Sequence, residues 1–404
     1  MSIKKLPPSG NAVGAWNLLF AGNGGFSGRF AERSRFAAHD TLFTGSATGA
    51  MYLALLGMKR LRPGKTEVVI PAWCCPSVAQ AVLQAELVPV LADLDPDTFA
   101  YSAANLRTAV TERTLTVLLV HFFGIRVPVP DLSLPSSPSA PSSPALPSDA
   151  PVTPPFFLRD CAQDFFFRRD AAADHPTFYS FGRGKSLNGG HGGALCLPPG
   201  SPLLNPCREA LEGFTDVGNP LPKALLINLL SHPLLFGLLT RLPMLRIGET
   251  KWEAPLVFTR MHPSFPRLAE PMLDALDRNL HVYADLIGGY ARLQEKSQGK
   301  ARAPWRGYEP GNAPIRFPLL IEDPTLRRTF MEGLNGSFGG VTGQYPDLLP
   351  NLAGAPAGMV QAGPYPGCER IAKQIVTLPI TAWLRGCENR FLAHARMLLS
   401  AETP

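Results

Sequence analysis

Short apolar runs punctuate the first half of the chain, at 67–70, 87–92, 116–120, 156–159, 177–180 and 194–197, each with turn residues nearby. Runs of this length, rich in Val, Leu and Phe, predict strands buried on both faces. Between them, 49–58, 76–85 and 103–110 carry apolar positions at helical spacing. Strand, helix and strand in alternation predict an α/β fold with a mostly parallel sheet covered by helices. After residue 260 the pattern changes. The amphipathic stretch 268–296 predicts one long helix, followed by a strand at 315–321, a helix at 325–334, a strand at 374–379 and a helix at 388–399. This predicts a large domain over 1–250 and a smaller α+β domain over 251–404.

Two segments depart from the alternation. Residues 127–155 hold 10 Pro and 7 Ser among 29 residues. Proline removes backbone donors and serine adds little apolar area, so burial cannot offset the entropy of ordering this stretch. It is expected to be an exposed, flexible insertion. Residues 223–246 are strongly apolar, but Pro233 and Pro243 interrupt them, and Asn228, His232 and Arg241 lie inside. A spanning helix needs roughly 20 uninterrupted apolar residues. Two short helices broken at 231–233 fit better, packed in the core or at a dimer contact, with a membrane surface as the alternative.

Composition narrows the class. With 45% hydrophobic residues the 404-residue chain is not a disordered one. The net charge of +6 comes from scattered Lys and Arg with no basic run longer than two residues, whereas nucleic-acid binders concentrate charge in a patch or stripe. The 7 Cys show neither CxxC nor Cys/His ligand spacing, so no zinc site or disulfide framework is expected. The amino terminus lacks the apolar core of a signal peptide. A reducing, cytoplasmic setting follows as the expectation.

Four pieces carry candidate chemistry. Ser46-Ala47-Thr48-Gly49-Ala50-Met51 opens a helix, and small residues at a helix start let backbone amides approach a phosphate. Asp160, in Leu158-Arg159-Asp160-Cys161-Ala162-Gln163, ends an apolar run, where α/β sheets place functional groups. Lys185 sits among small residues in Ser180-Phe181-Gly182-Arg183-Gly184-Lys185, and a desolvated lysine is a nucleophile toward carbonyls. Gly189-Gly190-His191-Gly192-Gly193 permits backbone geometry that other residues refuse. Each alone has a plainer explanation: an ordinary N-cap, a turn aspartate, a surface lysine, a hairpin. Their order and spacing together are specific.

In that order the chain resembles the DegT/DnrJ/EryC1/StrS family of sugar aminotransferases, which use pyridoxal phosphate. The family's S-G-T-A-A-L is here SATGAM at 46–51. Its I-V-P-x-x-T-F corresponds to Val69-Ile70-Pro71-Ala72-Trp73-Cys74-Cys75, and its P-V-F-V-D-x-D-P-x-T to 89–98. V-H-L-Y-G corresponds to 120–124, E-D-A-A-Q to 159–163, S-F-x-x-x-K to 180–185 and G-E-G-G to 190–193. The resemblance runs from Thr44 into the C-terminal domain, the Pro/Ser insertion excepted.

The resemblance implies the fold of type I pyridoxal-phosphate transferases, with a seven-stranded-type, mostly parallel sheet and a homodimer with sites at the subunit interface. It implies that Lys185 holds the cofactor covalently and moves protons at the substrate carbon. Asp160 would keep the pyridinium nitrogen protonated, and Gln163 would bond near the ring hydroxyl. Ala47, Thr48 and Ser180 would hold the phosphate. The ring-stacking position is Cys75 by alignment, and Trp73 lies two residues earlier; alternation in an extended segment would put both on one face. The chain departs from the family at Ala47, at His191 and at Phe258-Thr259, where an asparagine often precedes the Arg-Met pair, here Arg260-Met261. The implied reaction moves an amino group from an amino acid, glutamate by expectation, to a keto group on a nucleotide-linked sugar. Alternatives are a non-catalytic regulatory protein on the same fold, another pyridoxal-phosphate reaction such as a decarboxylase or lyase, and an enzyme acting on a lipid-linked sugar.

Overall fold

The computed structural model describes residues 5–7, 36, 39–130, 132, 154–165, 174–219, 221–239, 250, 252, 255–304 and 312–400. Most of the Pro/Ser stretch at 127–155 lies outside them.

The alternating pattern becomes one sheet. Its strands are β1 (Asp40–Thr44), β2 (Glu67–Pro71), β3 (Val88–Ala92), β4 (Thr114–Val120), β5 (Phe156–Cys161), β6 (Thr177–Ser180) and β7 (Gly193–Leu197). They lie in the order β1-β7-β6-β5-β4-β2-β3, and β10 (Val360–Gln361) adds an eighth strand beside β3. All pairings from β6 across to β10 are parallel, while β7 runs antiparallel to both β1 and β6. Every residue of β2, β4 and β7 is buried, as strands covered on both faces require. The family-based expectation of seven strands is met within the first 200 residues; the eighth comes from far along the chain.

Helices α1 (Ala47–Leu61), α2 (Pro76–Gln84) and α3 (Ala103–Ala109) connect the early strands. The Ser46 hydroxyl accepts from the Gly49 amide at 3.0 Å and starts α1; Lys59 and Arg60 in its last turn complement the helix dipole. Pro76 at the first position of α2 sacrifices no intrahelical bond. After β7 come α4 (Leu204–Glu212), α5 (Leu221–Leu230) and α6 (Pro233–Leu239). The apolar segment is thus two short helices broken at Ser231-His232, and residues 240–249 lie outside the described set. Among the described residues no helix is long and apolar enough to cross a membrane.

The expected single helix over 268–296 is two, α7 (Phe265–Asp277) and α8 (Leu280–Lys296). The break has a local cause. The Asn279 side chain donates to the Ala275 carbonyl at 2.6 Å and accepts from Arg385 at 2.6 Å, which sets a side-chain bond against continuation of the helix ladder. A three-stranded sheet follows, with β9 (Arg316–Ile321) between β8 (Ala301–Arg302) and β11 (Ile375–Pro379), flanked by α9 (Pro324–Ser337), α10 (Pro366–Gln374) and α11 (Glu388–Ser400). Two hydrophobic cores result. The first joins α1 and β2–β4 to Leu348, Leu349, Tyr365, Cys368 and Ile371. The second joins Tyr179, Phe181 and Cys196 to α7, α8, β9 and α11. Both draw on residues from either side of position 250.

Candidate functional site

Parallel strands share a polarity, so the carboxyl ends of β4, β5 and β6 open on one edge, where open α/β sheets bind ligands. The residues there are Val120, Asp160 and Ser180. The amino terminus of α1 and the turn leading into α2 reach the same edge. Between them lies a cavity of about 260 Å³, lined by Ser46, Ala47, Thr48, Cys75, Asp160, Gln163, Ser180, Lys185 and Tyr345 among others. Residues separated by up to 299 positions therefore meet at one place.

The floor is electrostatically unusual. Asp160 is buried, with 8% exposure. Loss of water raises its carboxyl from 3.8 to about 6, against the lowering influence of the Ala162 amide at 2.8 Å and of Lys185. Lys185 is lowered by burial, against Asp160 and then Cys75, which favour its charge. A carboxyl pushed up and an ammonium pushed down line the same cavity, each biased toward its neutral form. Opposed perturbation of two groups in a cleft is what nominates a functional site.

One end of the cavity suits an anion. The Ser46 hydroxyl occupies the Gly49 amide, and the Ala47 and Thr48 amides at the head of α1 have no intrahelical acceptor. The hydroxyl of Ser180 is close by, 3.4 Å from the Gly182 amide. Gly193 is required here: a Cβ on it would collide with the Ser46 carbonyl and the Ala47 amide. Gly192 holds φ at +106°, which only glycine adopts without strain. Behind the loop, the Gly45 amide donates to the Thr259 carbonyl at 2.7 Å. The Arg260 guanidinium is held by Asp216 at 3.2 Å and by the Glu212 carbonyl, and the Met261 terminal methyl lies against Gly192. His191, where the family carries an acid, accepts from the His262 amide at 3.3 Å.

Gln163 is fixed at both ends: its Oε1 accepts from the Phe123 amide at 3.1 Å and its Nε2 donates to the Tyr345 hydroxyl at 3.4 Å. Phe123 takes the left-handed conformation, φ +56°, to present that amide. Trp73 and Cys75 do not share a face. Residues 72–74 form bends rather than an extended run, so alternation does not apply. Cys75 lines the cavity and contacts Ser77 Oγ at 3.0 Å. Trp73 is fully buried, its ring against Phe122 and Phe99, its indole donating to the Tyr345 carbonyl at 3.2 Å. The expectation that Trp73 lies over a cofactor is therefore corrected to a place in the core behind the cavity wall.

Tyr345 is the cavity residue the sequence did not signal. Burial raises its phenol well above 10, with the Cys75 thiol as the next contributor. It lies far from every other piece in sequence, and the Tyr-Pro pair at 345–346 has no mechanism of its own.

Pyridoxal phosphate fits these residues. The amides at the head of α1 suit its phosphate, the desolvated Lys185 amine suits its aldehyde, and the Asp160 carboxyl, raised by burial, suits its ring-nitrogen cation.

Comparison with known proteins agrees with the geometry. Residues 21–134 match the sequence model of the DegT/DnrJ/EryC1/StrS aminotransferase family. A UDP-N-acetyl-3-dehydro-alpha-D-glucosamine 3-aminotransferase of Acidithiobacillus ferrooxidans is 33% identical over 87 residues, 22% of this chain and 23% of that one. A 3-amino-5-hydroxybenzoate synthase of Amycolatopsis mediterranei is 31% identical over 173 residues, 41% of this chain and 40% of that one. The matched stretch thus spans less than half the length of these relatives. Among solved structures, DesI in the presence of its TDP-sugar product is similar over 99% of this chain and 94% of that one, with a TM-score of 0.66 at 18% identity. At that identity the likeness is one of fold.

Proposed function

We propose, from the match of residues 21–134 to the DegT/DnrJ/EryC1/StrS aminotransferase family model, that the protein is a pyridoxal-phosphate aminotransferase. It moves an amino group from an amino acid, glutamate in this reading, to the keto group of a nucleotide-linked sugar. The observation that carries the reading is the buried pair of Asp160 and Lys185, oppositely perturbed in one cavity with the head of α1. The keto-sugar part is supported by the UDP-sugar and TDP-sugar relatives.

Bound pyridoxal phosphate supplies an electron sink for the carbon that loses or gains a proton. The chain supplies the rest. Lys185 would hold the aldehyde carbon until the substrate amine displaces it, and its freed amine, biased toward the free base by burial, would then carry the proton to and from the substrate carbon. Asp160 would hold the ring nitrogen, and a cation there would favour the charged carboxylate that burial disfavours. Ala47, Thr48 and Ser180 would hold the phosphate, Gln163 would orient the ring hydroxyl, and Cys75 would lie against the ring. Overall, an amino acid and a keto sugar become a 2-oxo acid and an amino sugar.

In the same reading the chain works as a cytoplasmic homodimer, with its large unit over 1–250 and a small one over 251–404. The test is direct. Purified protein incubated with pyridoxal phosphate is reduced with borohydride and its mass measured, then the unreduced enzyme is given glutamate alone. A cofactor adduct at Lys185 and one equivalent of 2-oxoglutarate are expected. Failure of both sinks the proposal; an adduct with no 2-oxoglutarate removes glutamate as donor.

A further inference from the structure

A second, larger depression of about 1260 Å³ lies beside the cavity. The two share a wall. In the segment from Thr342 to Asp347, Tyr345 faces the cavity, while Gln344 and Pro346 line the groove. Gln344 holds a left-handed φ of +60°, a turn in the middle of this wall. The wall is pinned from behind: the Tyr345 carbonyl accepts from Trp73, and Thr342 pairs with Thr377 on β11.

The groove's charged lining is two cations, Arg327 and Lys373, and two carboxylates, Glu369 and Asp347, the last taking the Leu348 amide at 2.7 Å and the Asn351 side-chain amide at 2.9 Å within its own loop. Arg327, on α9, is half-buried, and loss of water lowers its guanidinium below the usual value. Its Nε donates to the Ile375 carbonyl at 3.1 Å, which fixes the plane of the group. Among the described residues its two terminal nitrogens have no hydrogen-bond acceptor. One of them lies over Gly343, where a Cβ would sit 2.7 Å away, so the glycine is what lets the guanidinium lie flat against the wall. Lys373, on α10, lines the same groove and is held by Glu369 at 3.1 Å on the turn before it. A guanidinium oriented by backbone, with its fork unsatisfied, is a receptor for a planar or tetrahedral oxyanion.

We propose that this groove receives the phosphate-bearing end of the sugar substrate, with Arg327 as its principal anion ligand and Lys373 as a second. The proposal rests on the aminotransferase reading for the identity of the substrate. Size decides between the two anions such a reaction brings in. A groove larger than the usual 300–1,000 Å³ ligand pocket is far too roomy for an amino-acid carboxylate and suits a nucleoside diphosphate. The shared wall then lets the sugar extend past Gln344 toward Tyr345 and Lys185.

The test measures equilibrium binding of UDP, GDP and dTDP to the pyridoxal-loaded protein by calorimetry, for wild type, Arg327→Gln and Lys373→Gln. At least one nucleotide is expected to bind wild type, with about 10-fold or greater weakening in Arg327→Gln and a smaller loss in Lys373→Gln. The half-reaction with the amino donor, followed by cofactor absorbance, should stay within twofold of wild type in both variants. Equal nucleotide binding by wild type and Arg327→Gln overturns the proposal. So does a variant whose amino-donor KM rises while nucleotide binding holds, which would place the donor carboxylate there instead. If no nucleotide binds although the donor half-reaction runs, the groove assignment fails and the aminotransferase reading stands; if the donor half-reaction also fails, the fault lies in that reading.

Discussion

Replacing Asp160 by Asn should stabilise the cofactor-free protein while weakening its hold on pyridoxal phosphate. Burial raises the Asp160 carboxyl from 3.8 to about 6. A carboxyl raised on folding binds more protons folded than unfolded between those two values. Its contribution therefore favours the folded state at low pH and is lost as pH rises from about 4 through 6. At 1.36 kcal/mol per pH unit, the rise amounts to about 3 kcal/mol of destabilisation at pH 7 and above. Asparagine keeps an acceptor for the Ala162 amide and carries no charge to desolvate. It also removes the carboxylate that favours the Lys185 ammonium, so the net gain at pH 7.5 should fall between about 1 and 3 kcal/mol. The assay is urea unfolding of both cofactor-free proteins from pH 5 to 8, read as the difference between them. That difference should grow with pH and level off above about 7. Adding saturating pyridoxal phosphate should reverse the order, because only wild type gains the partner for its carboxylate. Parallel profiles, or an Asn variant less stable than wild type at every pH, would refute the electrostatic account of this site.

Lys185→Ala should abolish the borohydride-fixed cofactor adduct completely; an adduct of unchanged mass on another residue would relocate the site. Gly193→Ala should weaken pyridoxal phosphate binding by at least 10-fold, because the added methyl pushes the head of α1 out of register; fluorescence titration of the cofactor checks this. Trp73→Ala and Cys75→Ala should separate core from cavity. The first should cost about 3–5 kcal/mol in urea unfolding. The second should leave the cofactor-free protein within about 1 kcal/mol of wild type and shift the absorbance of bound cofactor; equal effects from both would contradict the placement of the two side chains on opposite sides of the wall.

Much of the first half was legible because buried parallel strands have a simple signature. Thr177–Ser180 falls where its apolar run ends, and Glu67, Val88 and Phe156 begin strands within a residue of expectation. β1 was not legible. Its five residues alternate only partly between buried and half-buried, and their place is fixed by antiparallel pairing with β7 across some 150 residues. The break at Arg278-Asn279 was hidden because the apolar stripe continues through it; what ends the helix is a side-chain bond that Arg385 completes from a distant turn. In the site, Lys185, Asp160 and Gln163, which line one cavity, were legible through the order and spacing of the motifs that carry the resemblance. Tyr345 was not, because it reaches the cavity only once the C-terminal segment folds back. Trp73 misled for a related reason: an alternation rule presumes extended backbone, and the bends at 72–74 remove it.

That folding back has a consequence for how the protein is made. Two residues near position 360 cover the outer side of β3, and Leu348, Leu349, Tyr365 and Ile371 complete the core beneath the first strands. On a ribosome, strands finished within the first hundred residues must wait for more than two hundred others before their exposed edge and lower face are closed. During that interval β3 offers unpaired backbone to any neighbouring chain. A message cut short before residue 345 would yield a polypeptide holding Lys185, Asp160 and the head of α1, yet lacking the tyrosine wall and presenting an open, adhesive edge.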